Sequence, residues 1–313
     1  MKIRKPPALS PPGPIGIIAP ASAPLDEADL TKGLRHLSDA GFETVLFRPD
    51  FEPYGFLAGD DDARADELAR AFSDESADVL VCVRGGYGSL RLLDRIDYVA
   101  AGHRPKLLIG YSDITALQLA LLARSGWTSI SGPMVAVDWK NPHPASIEQF
   151  VALASGRHGA DLAGPSGQPL IPLARGSAEG RLIGGNLSLI TRLLGTPYLP
   201  DLRGAILFLE EIGEPPYRVD GMFAQLHLAG LLGQLAGVVL GGFTDGDPKP
   251  GRPSLSFDQV FDHWFGRLGV PVATDLAYGH FPVKSAIPIG VRARLEVSSD
   301  RASLKLLETV VDV

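Results

Sequence analysis

The sequence KLLIGYSDITALQLALLARSG, residues 106–126, holds a structural unit that recurs through the first half of the chain. A short apolar run ends at a glycine, a polar turn follows, and a long apolar segment then closes on a second glycine. This order predicts a strand, a sharp turn and a helix. Ser112 lies in the turn, where it is either the residue that caps the helix or a nucleophile held at a strained corner.

The same alternation extends outward from this unit. Short apolar runs such as IGII and DVLVCV alternate with helical patterns such as DDARADELARAFSD. Apolar strands that alternate with helices predict a parallel sheet covered on both faces, so residues 1–155 are expected to form an α/β domain. Ligands of such sheets bind at the carboxyl ends of the strands, and Ser112 follows one of those ends.

The chain is expected to divide after residue 155. Residues 156–175 are rich in glycine, proline and serine, which predicts a linker between two domains. Residues 176–313 again mix apolar strands with helices, and the alternating pattern RARLEV favours an edge or antiparallel strand. A total of 313 residues fits two domains.

Composition argues against several functional classes. A net charge of −7 offers no basic face to nucleic acid, and no apolar run reaches the roughly 18 residues of a membrane span. The basic start MKIRK is not followed by the apolar run that a signal peptide needs. The single cysteine, Cys82, stands in an apolar run, so we expect a buried thiol in a reducing, cytoplasmic environment.

Histidine spacing argues against a metal site. The seven histidines form no H-x-H, H-x-x-x-H or H-E-x-x-H pattern, and one cysteine cannot build a thiolate site. The chain is therefore not expected to bind a catalytic metal.

A glycine-rich turn begins at Arg84 with RGGYGSLRLL, after one strand and before a helical segment. Such a turn can present backbone N–H groups to an anion. Its spacing does not match the dinucleotide motif G-x-G-x-x-G, because Arg91 occupies the position of the third glycine. Tight turns without any ligand also explain the glycines. A nucleotide- or sugar-binding module without catalysis stays open as an alternative.

A catalytic serine needs a general base and a group that orients this base. The apolar strand GAILFLEE ends in Glu210 and Glu211, although a charged strand end is often only a solvated one. His280 stands in a loop framed by glycine and proline, whereas His227 falls in an apolar helix. Ile114 replaces the second glycine of G-x-S-x-G, so an α/β-hydrolase esterase is only partly matched.

The motifs together resemble the LD-carboxypeptidases, a family of serine peptidases that includes murein tetrapeptide carboxypeptidases and microcin-immunity carboxypeptidases. They are, in chain order, GIIAPAS, VRGGYGSLRLLDRID, LIGYSDITALQLAL, GRLIGGNLSLI, LFLEEIGEPPYRVD and YGHFPVKSAIPIG. The resemblance runs nearly from end to end of the chain. It implies an α/β architecture with a Rossmann-like parallel-sheet domain at the N-terminus, a smaller C-terminal α/β domain with a β-rich core, and a cleft between them.

The resemblance also implies roles for particular residues. The nucleophile of the family matches Ser112, its triad carboxylate matches Glu210, and its base matches His280. The oxyanion donors of the family match the backbone N–H groups of Gly86 and Asp113.

The reaction implied is release of the terminal D-alanine from a murein tetrapeptide in peptidoglycan recycling, without metal or organic cofactor, by an enzyme that is often a homodimer. Arg84, Gly85 and Asn186 are candidate substrate contacts. Gly221 departs from the family, which commonly has arginine there, and this puts a local helix contact in question. A microcin-type aminoacyl nucleotide is the alternative substrate, although the form GEPPYRVD favours the murein branch.

Overall fold

The computed structural model describes residues 2–10, 13–48, 50–157, 161–162, 167–248, 251 and 253–313. Its strands are β1 (Ile15–Ile18), β2 (Thr44–Leu46), β3 (Val79–Cys82), β4 (Leu107–Ile109), β5 (Ser129–Ser131), β6 (Ile171–Ala174), β7 (Gly176–Asn186), β8 (Ala205–Ile212), β9 (Gly237–Thr244), β10 (Val272–Thr274), β11 (Ile287–Ile289), β12 (Arg292–Val297) and β13 (Ala302–Leu306). Its α-helices are α1 (Glu27–Asp39), α2 (Asp61–Ser73), α3 (Tyr98–Ala101), α4 (Ile114–Ser125), α5 (Pro144–Ala154), α6 (Leu187–Arg192), α7 (Pro216–Leu228) and α8 (Phe257–Phe265). Short 3₁₀ helices span Ser89–Arg95 and Leu232–Gln234. Within the described residues, none of these helices has the length and apolar character needed to cross a membrane.

The first sheet has the strand order β11-β5-β4-β3-β1-β2. Strands β1 to β5 pair in parallel, as the short apolar runs of β1 to β4 predict. Every residue of β1, β3 and β4 is buried, as a sheet with both faces covered requires. The parallel sheet confirms the α/β class expected for the first half of the chain.

One strand of the first sheet comes from the C-terminal part of the chain. Strand β11 pairs antiparallel with β5, with Ile287 opposite Ser131. The pattern of the sequence does not predict this return. Because β11 follows the loop of His280 along the chain, that loop is tied at one end to the sheet that carries Ser112.

The second sheet has the strand order β13-β12-β7-β8-β9-β10-β6. Strands β7 to β10 are parallel, and antiparallel strands are added at both edges. The alternation in RARLEV is confirmed in β12, where every second residue is buried. Strand β6 lies inside the segment expected to be a linker, and residues 158–160 and 163–166 of that segment lie outside the described residues.

The two sheets meet beside the first turn of α4. Asn186, the last residue of β7, donates its backbone N–H to Oγ1 of Thr115 over 3.1 Å. A Cβ on Gly185 would stand 2.5 Å from the same oxygen, so this close approach requires glycine. Thr115 follows Ser112 by three residues. The contact therefore brings the end of a strand in the second sheet next to the turn that carries the candidate nucleophile.

Gly33 and Gly221 are a matched pair of helix glycines. A Cβ on Gly33, in α1, would collide with the carbonyl oxygen of Val135, whereas Gly221, in α7, is surrounded by open space. Gly33→Ala is expected to lower the free energy of unfolding by about 1–3 kcal/mol through overpacking. Gly221→Ala is expected to raise it by about 0.5–1 kcal/mol, because alanine is the better helix former. Urea unfolding measures both, and equal midpoints for the two variants would contradict the packing of α1.

Candidate active site

Ser112 stands at a strained corner between β4 and α4. Its backbone φ is +63°, in the left-handed region that residues other than glycine seldom adopt. The helix begins at Ile114, and its N-cap residue, Asp113, forms no side-chain capping hydrogen bond. The interpretation of Ser112 as the residue that caps the helix is therefore wrong. The Ser112 side chain is half-buried, and its hydroxyl makes no hydrogen bond to any described residue. The strained corner therefore holds a serine whose hydroxyl does not stabilise the turn by a hydrogen bond to those residues.

Glu210 and His280 form the central pair of the site. Glu210 is fully buried on β8, and its Oε2 lies 2.7 Å from Nδ1 of His280. The imidazole keeps 17% of its side-chain surface exposed. Because the carboxylate accepts a hydrogen bond from Nδ1, Nε2 is the ring nitrogen that can take up a proton. The pair can therefore act as an oriented general base.

Tyr111 connects this pair with the Ser112 corner. Its ring packs edge-on against the ring of His280, with the centroids 5.3 Å apart, and it directly precedes Ser112. The Tyr111 hydroxyl accepts a 2.6 Å hydrogen bond from Lys284, which also pairs with Asp138 over 2.8 Å. The serine, the imidazole and the carboxylate thus lie in one region, although no hydrogen bond among the described residues joins the serine to the imidazole.

A β-bulge shapes the end of β8. The pairing register of β8 with β9 shifts between Leu209 and Glu211, which puts Glu210 at the irregular position. A bulge bends its strand and changes the direction of the side chains there. Both carboxylates are buried, and Nδ2 of Asn186 donates to Oε1 of Glu210 over 3.1 Å and to Oε1 of Glu211 over 3.0 Å.

Asn186 links Glu210 to Glu211, and both Asn186 and Glu211 are held by further hydrogen bonds. Glu211 accepts two backbone hydrogen bonds, from the N–H of Ser188 over 2.7 Å and from the N–H of Ile212 over 2.9 Å. Asn186 caps α6 with its Oδ1 and is only 3% exposed. The amide of Asn186 is thus bound to the two carboxylates and the helix end, and its contact with substrate stays a prediction.

The glycine-rich loop after β3 packs on the Ser112 corner. A Cβ on Gly85 would stand 3.0 Å from Cβ of Ser112, closer than side-chain carbons ordinarily approach. Gly86 is exposed, has a φ of +102°, and leaves no room for a Cβ beside Ser22. No backbone acceptor among the described residues takes the N–H of Gly86 or of Asp113. Both candidate oxyanion donors are therefore available next to Ser112.

The carboxylate of Asp113 fastens the same loop. It accepts the N–H of Ser89 over 2.8 Å, and the Ser89 hydroxyl donates to the backbone carbonyl of Asp113 over 2.5 Å. Burial raises the pKa of Asp113, while hydrogen bonds from Ser89 and Gly88 act in the opposite direction. The side chain of Asp113 thus positions the loop that carries one candidate donor, and its own backbone N–H is the other.

Two residues that sequence reasoning did not single out complete the support of this loop. Arg64 is fully buried and donates to the carbonyl of Gly88 over 3.0 Å. Ser22 accepts the N–H of Tyr87 over 3.1 Å and donates to the carbonyl of Phe56 over 2.6 Å. Ser22 belongs to the motif GIIAPAS, which is a usable signal. Arg64 lies in a helix so rich in charge that no pattern marks it as buried.

Cys82 is fully buried in β3, as expected, and burial raises the pKa of its thiol. A buried thiol of raised pKa is a poor nucleophile. Among the described residues, no group of three or more histidine, cysteine, aspartate or glutamate side chains is placed to hold a metal ion.

Comparison with known proteins identifies the family. The family model for the LD-carboxypeptidase N-terminal domain matches residues 15–132, and the model for the LD-carboxypeptidase C-terminal domain matches residues 179–295. The chain belongs to the LD-carboxypeptidase family. The resemblance carried by the sequence motifs is thereby confirmed.

Two curated relatives cover nearly the whole chain. A probable murein peptide carboxypeptidase of Bacillus subtilis is 36% identical over 306 residues, which cover 96% of this chain and 94% of that protein. A murein tetrapeptide carboxypeptidase of Pseudomonas aeruginosa is 36% identical over 292 residues, which cover 91% of this chain and 93% of that protein. Both relatives show that this LD-carboxypeptidase is similar to peptidases named for murein peptides.

Solved structures agree with this assignment. The muramoyltetrapeptide carboxypeptidase of Oxalobacter formigenes superimposes with a TM-score of 0.81 at 29% identity, covering 94% of this chain and 98% of its own. The microcin self-immunity protein MccF superimposes with a TM-score of 0.86 at 22% identity, covering 99% of this chain and 100% of its own. The second likeness shows a shared fold only.

Asp113→Asn tests the role of the buried carboxylate. Asparagine offers one oxygen where the loop N–H groups of Gly88 and Ser89 need a carboxylate, so we expect stability to fall by about 1–3 kcal/mol. Peptidase activity should fall with it, because the loop that carries Gly86 loosens. Asp97→Asn is the matched control: Asp97 also accepts two backbone N–H groups, but at an exposed helix start where asparagine caps as well as aspartate. Thermal unfolding and kcat/KM that are equal in both variants would contradict this role.

Proposed function

We propose that this chain is a serine LD-carboxypeptidase that releases the terminal D-alanine from murein tetrapeptides. The proposal rests on the 2.7 Å hydrogen bond between Glu210 and His280 beside the strained corner of Ser112. An acid, an imidazole and a serine are the groups that acyl transfer through an activated nucleophile requires. Family membership supports peptide hydrolysis, and the names of the two curated relatives support a murein peptide as substrate.

The first half of the reaction forms an acyl-enzyme. Nε2 of His280 takes the proton of the Ser112 hydroxyl as its oxygen attacks the carbonyl carbon between the L-centre of meso-diaminopimelate and D-alanine. Glu210 keeps the other ring proton on Nδ1 and stabilises the imidazolium. The backbone N–H groups of Gly86 and Asp113 bind the oxyanion, a contribution of about 2.7–4 kcal/mol for a donor of this kind. The imidazolium then protonates the leaving amine, and D-alanine departs.

The second half of the reaction hydrolyses the ester. Water gives a proton to His280 and attacks the acyl carbon, and the shortened peptide leaves as the proton returns to Ser112. Catalytic hydrogen bonds are often long in a free enzyme and tighten in the substrate complex. Substrate binding is therefore expected to bring the serine hydroxyl within hydrogen-bonding distance of the imidazole.

The proposal includes a cellular setting: peptidoglycan recycling in the cytoplasm by a homodimer. The single cysteine supports a reducing compartment, because the chain contains no pair of thiols that an oxidising one would link. Size-exclusion chromatography with light scattering tests the dimer independently of activity.

The direct test offers murein tetrapeptide to the purified protein. Mass spectrometry is expected to show loss of one alanine and no further shortening. A microcin-type aminoacyl nucleotide, offered in parallel, distinguishes the alternative substrate, and a small acyl ester distinguishes a general esterase. Cleavage of either of these without release of alanine from the tetrapeptide would overturn the proposal.

Ser112→Ala removes the proposed nucleophile. Activity is expected to fall by roughly 10⁴-fold or more, since triad members act as a unit. The fold should survive, because the hydroxyl makes no hydrogen bond to a described residue. Circular dichroism and release of D-alanine measure the two effects, and undiminished turnover by a folded variant would rule the mechanism out.

Glu210→Gln and Glu211→Gln separate the triad acid from its neighbour. Glu210→Gln should reduce kcat by on the order of 10³–10⁴-fold, because the carboxamide cannot hold the imidazole in the productive tautomer. Glu211→Gln should mainly lower stability, by about 1–3 kcal/mol, since Glu211 accepts three N–H groups in a buried position. Kinetics and thermal unfolding of both variants decide, and the reverse ranking would assign the triad acid to Glu211.

A further inference from the structure

Arg84 carries a positive charge that has no carboxylate partner in the part of the chain that the structure describes. It follows β3 at the start of the glycine-rich loop, and its side chain is half-buried. Its Nη1 donates to the carbonyl of Ala23 over a long 3.3 Å. Among the described residues, no aspartate or glutamate lies within ion-pairing distance of its guanidinium. Burial lowers the pKa of Arg84, as expected of a charge held away from water with no anion beside it.

The neighbouring arginines, in contrast, form ion pairs with carboxylates. Arg64 and Arg91 both pair with Asp61, and Arg95 pairs with Asp62. Among the described residues, Arg84 therefore differs from these three arginines in having no carboxylate partner. A half-buried guanidinium without a counter-ion costs free energy unless a ligand supplies the anion.

Arg84 lies beside one of the two candidate oxyanion donors. Its Nη2 is 3.5 Å from the place where a Cβ on Gly86 would stand, next to a candidate oxyanion donor. Gly85, the residue between Arg84 and Gly86, packs against Cβ of Ser112. The guanidinium therefore belongs to the loop that contacts the Ser112 corner, and it lies close to the candidate oxyanion donor.

We propose that Arg84 binds the terminal carboxylate of the substrate and thereby restricts the enzyme to the last residue of a peptide. This inference rests on the proposed function and adds the group that makes it an exopeptidase. In the substrate the carboxylate carbon is three bonds from the carbonyl carbon under attack, within about 4 Å. The receptor must therefore lie next to the oxyanion donors, as Arg84 does. The planar guanidinium matches a carboxylate with two parallel hydrogen bonds.

The experiment compares the murein tetrapeptide with the same peptide ending in D-alaninamide. Wild-type enzyme is expected to prefer the free acid strongly. Arg84→Gln should lower kcat/KM for the acid by on the order of 100-fold, the effect of hydrogen bonds to a charged group, and should leave hydrolysis of the amide within a few-fold of wild type. Arg95→Gln is the matched control, because its guanidinium is 41% exposed and paired with Asp62. It should keep both rates.

Arg84→Lys guards against a variant that fails to fold. Lysine keeps the charge but loses the paired hydrogen bonds, so its preference for acid over amide should fall between those of wild type and Arg84→Gln. A preference that is unchanged in the folded Arg84 variants, or equal losses on both peptides, would overturn the inference. Failure of the wild-type enzyme to release D-alanine from the tetrapeptide would instead overturn the proposed function, so the two outcomes are distinguishable.

Discussion

The hydrogen bond between Glu210 and His280 is the interaction on which the site depends. It joins a strand of the second sheet to a loop that leaves the second sheet after β10 and enters the first sheet as β11. Tyr278, within the same loop, is fixed to Ser131 of β5 by a 2.5 Å hydrogen bond between their hydroxyl groups. The imidazole is therefore positioned relative to both sheets at once. Two sheets joined by a single linker would let the serine and the imidazole drift apart, whereas the return of β11 limits that motion.

The backbone at Ser112 obeys a second constraint. A left-handed residue that is not glycine costs about 1–2 kcal/mol, which the surrounding fold has to offset. The offset comes from buried polar contacts: Asp113 and Arg64 hold the glycine-rich loop, and Gly85 allows it to touch the serine. Dipoles fixed in this way before the reaction need no reorganisation when negative charge develops. Strain at Ser112 and rigidity of the loop are thus two aspects of one arrangement.

The sequence predicts the parts of this structure that depend on local pattern. Continuous apolar runs give the parallel strands, and the motif order gives the family, because both are visible within short windows. The pairing of β11 with the first sheet cannot be predicted from a short window of sequence. This strand has only three residues, one of them proline, and they carry no information on which sheet they join. Likewise the sequence makes Asn186 a candidate substrate contact, and it gives no sign that tertiary contacts direct the amide toward the two carboxylates. Arg84 is conspicuous in the sequence, but only the fold shows that no carboxylate of the described residues pairs with it.

The adjacent glutamates at the end of β8 show why the local pattern of the strand cannot distinguish which of the two pairs with the imidazole. In a regular strand, consecutive side chains point to opposite faces, so only one of the two could approach the imidazole. The bulge removes that distinction, and one amide nitrogen of Asn186 reaches both. What separates them is their remaining partners: Glu211 is occupied by backbone N–H groups, and Glu210 by the imidazole.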